Sequence, residues 1–109
     1  MIIRNRDLMY YQQRRNQCEW CGKPPFSGYL LEPHHVIRRG LGGGSQCDTL
    51  LNTIAVHRRC HQEIEALGAD GNKRCWYIIE RREGLAPGQA EEAVWRLLRR
   101  DQFTGEDRP

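Results

Sequence analysis

The chain has 109 residues, of which 39% are hydrophobic and 28% charged, and it contains five cysteines. That length suits one domain with a thin core, and no stretch of about 20 nearly uncharged residues is present to cross a membrane. The formal net charge of +3 is uneven: residues 1–60 carry nine Lys/Arg against four Asp/Glu, a surplus of +5, while residues 61–109 carry eight against ten, or −2.

The first residues, Met1 to Asp7, place charges where a secretory signal needs an apolar run. A cytoplasmic location without membrane association is therefore expected. An odd number of cysteines in such a chain points away from a disulfide scaffold and toward metal binding. Fifteen of the seventeen basic residues are Arg, a side chain shaped for bidentate phosphate contact; a solvated charged surface would have the same composition.

In chain order, Asp7 to Asn16 lacks Gly and Pro and predicts a short helix. Cys18-Glu-Trp-Cys-Gly-Lys-Pro-Pro25 predicts a tight knuckle and an exit loop. Tyr29 to Ile37 reads as extended, Arg38 to Ser45 with its four glycines as a loop, and Thr53 to Val56 as a second short strand. From Arg59 the pattern is helical, with Cys60, Ile64 and Leu67 on one face and Gly68 as the stop. Cys75 to Glu80 is aromatic and β-branched and fits helix or strand. Gln89 to Asp101 is an amphipathic helix with Ala90, Ala93, Val94, Leu97 and Leu98 on one face, and the tail from Thr104 frays. Trp76, Trp95 and the Tyr10-Tyr11 pair are expected in the core.

Two ligand pairs stand out. Cys18-x-x-Cys21 and His57-x-x-Cys60 are separated by 35 residues. Two-residue spacing lets both side chains of a pair converge on one ion, and two pairs complete a tetrahedron, the arrangement of a closed structural zinc site. Buried unligated thiols or a redox Cys18/Cys21 pair are the competing readings, and Cys47 or Cys75 competes with His57 for the fourth position.

The other histidines form a second group: His34-His35 and His61, with Asn52 between them. Phosphodiester hydrolysis needs a base for water and a cation for the leaving oxygen, and neighbouring imidazoles can divide those tasks. Adjacent residues on an ideal strand face opposite ways, so both reach one cleft only if the strand twists or ends there. Glu65 lies one helical turn beyond His61, on the same face.

The run Leu31-Glu-Pro-His-His-Val-Ile37, then Gly42-Gly-Gly44, Asn52 and His57-Arg-Arg-Cys-His61, resembles the HNH endonucleases with their zinc-bearing ββα-metal (His-Me finger) core. The resemblance covers roughly residues 18–67. It implies an α+β fold in which Cys18, Cys21, His57 and Cys60 hold structural Zn²⁺ and flanking helices surround the core. It also implies that His35 is the general base, that His34 and His61 ligate the catalytic divalent ion, and that Asn52 braces the loop and orients His35. His57 stands where the family commonly has Cys, and Arg38 where a proline often stands. Glu65 takes a place often held by His or Asn, and a carboxylate there suits Mg²⁺ or Mn²⁺.

Arg38-Arg-Gly-Leu-Gly-Gly-Gly-Ser45 matches neither a Walker loop nor a dinucleotide fingerprint. It reads as a connector carrying Arg38 and Arg39 to the cleft, where they and Arg58 and Arg59 contact phosphates or form a solvated basic surface. The expectation is thus a single HNH nuclease domain over 1–109, with a helical extension at about 73–101. Its expected activity is metal-dependent endonucleolytic cleavage of DNA, with double-stranded DNA as the expected partner. A non-catalytic zinc module binding nucleic acid or protein is the alternative, and a thiol redox protein the third reading.

Overall fold

A computed structural model describes residues 11–37 and 49–102, with side chains as far as Leu98. Two short strands, β1 (Glu32–His35) and β2 (Thr53–Val56), pair antiparallel, with His34 opposite Ile54 and His35 opposite Thr53. A 3-10 turn at Leu50–Asn52 leads into β2. Helices α1 (Arg58–Leu67), α2 (Ala69–Glu83) and α3 (Gln89–Gln102) follow. The fold class is α+β, in agreement with the sequence. Among the described residues no helix is long and apolar enough to cross a membrane.

All four residues of β2 are buried, because both of its faces and its outer edge are covered. The edge is paired by the cysteine knuckle: the Glu19 N–H donates to the Ala55 carbonyl at 2.8 Å, and the Ala55 N–H donates to the Glu19 carboxylate at 2.8 Å. A bare strand edge is thereby converted into a satisfied one. Arg82, near the end of α2, donates to both Glu19 oxygens at 3.0 Å and to the Thr53 carbonyl at 3.1 Å. Knuckle, sheet and helix are tied by one partly buried ion pair. The main core joins Cys18, Trp20, Leu31, Ile54, Ala55 and Val56 of β2, Cys60, Ile64, Cys75 and Ile79.

β1 is shorter than the extended stretch expected at Tyr29 to Ile37. Tyr29 and Leu30 are exposed before it, and after His35 the chain bends into residues 36–37. The ambiguous segment Cys75 to Glu80 lies inside α2. Its small residue Gly71 explains how α2 packs on α1: a Cβ there would sit 2.4 Å from the Ile64 carbonyl oxygen, so only glycine allows that approach. Leu67, expected beside Cys60 and Ile64, is instead 46% exposed; it is the last residue of α1, where the chain turns through Gly68 (φ 60, ψ −126) into α2. Trp76 and Trp95 are partly buried against the core, but Tyr11 is 49% exposed and not a core residue. Of the expected N-terminal helix, residues 11–13 are helical. Its earlier part, Tyr10, the glycine-rich connector and the tail lie outside the described residues.

Candidate functional site

The knuckle and the start of α1 build the first cluster. Cys18 and Cys21 flank a turn closed by hydrogen bonds from the Gly22 N–H to the Cys18 carbonyl and from the Cys18 N–H to the Lys23 carbonyl, both 2.9 Å. His57 is the N-cap of α1 and Cys60 lies in its first turn. One ligand atom from each of Cys18, Cys21, His57 and Cys60 lies within 4.8 Å of the others. The His57 Nδ1 is 3.4 Å from the Cys21 Sγ and 3.9 Å from the Cys60 Sγ, while its Nε2 is 2.9 Å from the Pro24 carbonyl. A carbonyl only accepts, so Nε2 carries the proton and Nδ1 presents its lone pair to the sulfurs. Phe26 stacks on the ring at 4.8 Å and holds its plane.

The electrostatics of the cluster call for a cation. Burial pushes the Cys18 thiol up, but backbone N–H groups of Cys21, His57 and Trp20 outweigh it and hold the thiol below its ordinary value. Burial, together with the neighbouring Cys18 and Cys21 sulfurs, then pushes Cys60 up to about 12. Three thiolates do not coexist in so small a space without a compensating charge. Three sulfurs and one imidazole in closed array are a donor set that suits Zn²⁺. Cys75 is buried elsewhere in the core and does not compete for the site, its thiol pushed up to about 12 by burial. Cys47 lies outside the described residues.

The second cluster sits where β1 meets α1. Ligand atoms of His34, His61 and Glu65 also lie within 4.8 Å of one another. The His34 and His61 rings meet edge to face at 4.7 Å. A cleft of about 180 Å³ is lined by Pro33, His34, His35, Val36, His61, Ile64, Glu65, Gly68 and Asn72. Both members of the double histidine therefore reach one cleft.

The reason is that β1 ends at His35 and the chain is bent and clamped immediately after it. The Val36 N–H donates to the Asn52 carbonyl at 2.9 Å. The Asn52 side chain then accepts from the Ile37 N–H at 2.9 Å and donates to the Ile37 carbonyl at 3.0 Å. Asn52 is fully buried, and its amide copies the donor and acceptor that another strand would offer. Beneath it, Gln12 donates to the Thr53 hydroxyl at 2.9 Å, and that hydroxyl donates to the Thr49 carbonyl at 3.1 Å.

Residues 18–66 match the protein-family model described as HNH endonuclease. This segment is an HNH domain. A search of curated proteins and of solved structures returned no match to the chain.

The HNH match ends at residue 66 and so spans both clusters and the clamp. Every residue of those groups named from the sequence falls at the HNH cleft or the sulfur cluster, save Asn52, which stands behind the cleft. The arginines divide. Arg58 has a side chain 80% exposed and donates to Glu32 at 2.9 Å, Arg59 is exposed, and Arg38 and Arg39 lie outside the described residues.

One residue of the HNH domain was not singled out from the sequence: Glu32. One of its carboxylate oxygens is 3.1 Å from the His61 Nδ1, and the other takes the Arg58 bond. The His61 Nε2 is 3.3 Å from Glu65. A proton on Nδ1, held by Glu32, leaves Nε2 as the ligating atom beside Glu65, the carboxylate–histidine arrangement that orients metal-binding imidazoles. The signal was available: Glu32 and His34 are two apart on one strand and share a face.

Proposed function

We propose that this HNH domain is a metal-dependent DNA endonuclease. The observation that supports it best is the convergence, in one polar cleft, of His34, His61 and Glu65 with a further histidine, His35, that is not among the three. His34, His61 and Glu65 would hold one divalent cation, Mg²⁺, Mn²⁺ or another, and Cys18, Cys21, His57 and Cys60 would hold structural Zn²⁺. The catalytic ion, when bound, supplies Lewis-acid stabilisation of charge on the phosphate and on the departing oxygen.

In this reading His35 takes a proton from water as the water oxygen attacks phosphorus. The P–O bond to the 3′-oxygen breaks and that oxygen takes up a proton from solvent water, leaving a 5′-phosphate and a 3′-hydroxyl. Asn52 acts behind the chemistry by fixing the bend that brings His35 to the cleft. Glu32 orients His61. Arg58 and Arg59, with Arg38 and Arg39, contribute positive charge for the backbone of a double-stranded substrate. The C-terminal helices α2 and α3 complete the same unit, residues 1–109 acting as one domain in the cytoplasm. Incubation of the zinc-loaded protein with supercoiled plasmid and Mg²⁺, Mn²⁺ or Ni²⁺ should give nicked or linear DNA. Intact plasmid under every metal would favour a zinc module that only binds.

A further inference from the structure

Beyond the cleft, the loop between the knuckle and β1 exposes an unusual group of apolar side chains. Tyr29 is 73% exposed, and Phe26 and Leu30 are 55% exposed. The Tyr29 N–H donates to the Phe26 carbonyl at 2.9 Å, and the loop is pinned at its far end by a bond from the Leu31 N–H to the Gln13 carbonyl at 3.3 Å. Phe26 is also held from beneath by its stack on His57. These rings are therefore presented by a fastened loop, with one face of the platform resting on the sulfur cluster.

The platform has cations beside it and leads into the cleft. With Glu32, His57, Arg58 and Arg59, the three side chains enclose a hollow of about 480 Å³. Glu32 borders this hollow and also bonds His61, which lines the neighbouring cleft. A strand with a phosphate in the cleft would thus run across Glu32 and Arg58 onto the rings. Aromatic faces with arginines alternating along a groove bind nucleic acid by stacking bases and pairing phosphates. An intact duplex keeps its base faces covered and offers such rings only phosphates and groove edges, so an exposed tyrosine there gains little from it.

We propose that the hollow framed by Phe26, Tyr29, Leu30, Arg58 and Arg59 takes unpaired bases of the strand whose phosphate lies in the cleft, so that the preferred substrate is DNA with a single-stranded segment beside the cut. The proposal rests on the DNA reading of the cleft, and its test is a binding measurement that needs no cleavage.

The full-length, zinc-loaded protein is titrated, without added Mg²⁺ or Mn²⁺, into a fluorescein-labelled duplex bearing a single-stranded tail of about six nucleotides. A second duplex carries the same tail made of abasic sites, with equal charge and no bases. The expected result is roughly ten-fold tighter binding of the base-bearing tail. Tyr29→Ala should erase that difference and Tyr29→Trp should keep it, with zinc content and circular dichroism reporting that each variant is folded. Equal affinities for the two tails in the unaltered protein would overturn the proposal, as would a preference that survives Tyr29→Ala. Absence of binding to either DNA would also overturn it. Discrimination between tails without any plasmid cleavage would contradict the nuclease reading alone, and cleavage without discrimination would contradict this proposal alone.

Discussion

At the residue scale, the distinctive side chain is Glu32, which divides its carboxylate between His61 and Arg58. Replacing it with Gln preserves shape but removes the charge that holds the proton on His61 Nδ1. Partners of this kind are worth about 10- to 100-fold in metal affinity. Glu32→Gln is expected to weaken Mn²⁺ binding by that factor, measured by calorimetry, while one zinc per chain is retained. Unchanged Mn²⁺ affinity would remove Glu32 from the site. The cysteines make a second contrast. Burial pushes the Cys75 thiol up to about 12, so near pH 8 it is protonated, and it is the thiolate that reacts. In the folded protein Cys75 should resist iodoacetamide and react only after denaturation, as read by peptide mass mapping. Rapid native alkylation of Cys75 would contradict its place in the core.

At the element scale, the site depends on a strand that stops in time. Asn52 closes β1 by satisfying both the N–H and the carbonyl of Ile37. Asn52→Ala leaves those groups unpaired in a buried setting, at a cost of about 2–4 kcal/mol, readable as a lower denaturation midpoint. The variant should also lose most cleavage activity, since the bend that serves His35 is released; full activity would show that the clamp is only structural. The α1–α2 elbow is equally tight, and Gly71→Ala, which forces a Cβ against the Ile64 carbonyl, should cost about 1–3 kcal/mol.

Much of this was legible in the sequence because it is local. The ligand pairs follow from spacing, β2 from a β-branched run, and the end of α1 from Gly68. The rest depended on neighbours. Trp76, Ile78 and Ile79 suit strand or helix equally, and packing against the sheet and the 3-10 turn selects the helix. Tyr29 and Leu30 carry strand propensity but lie in the irregular stretch between the turn at 27–28 and β1. The Glu19–Arg82 tie joins residues far apart in sequence, and no periodicity announces it.

At the scale of the whole molecule, the sulfur cluster does for this chain what a larger core does elsewhere. It joins the knuckle to α1, and Glu19 within the knuckle passes the connection to β2 and to Arg82 of α2. A structural zinc site contributes on the order of 10 kcal/mol, more than so thin a core can lose. Removal of zinc with a strong chelator is expected to unfold the HNH segment and α2 together, seen as loss of helical circular dichroism with release of one zinc per chain. A helical signal that persists in zinc-free protein would contradict that dependence.

The most direct test of the central claim sets the unaltered protein beside His35→Ala on supercoiled plasmid, each zinc-loaded, with and without Mg²⁺, Mn²⁺ or Ni²⁺. The proposed mechanism predicts metal-dependent nicking by the unaltered chain and a rate at least about 100-fold lower for His35→Ala, with zinc content and fold unchanged. Equal rates for the two proteins, or no cleavage by either under any metal, would contradict it.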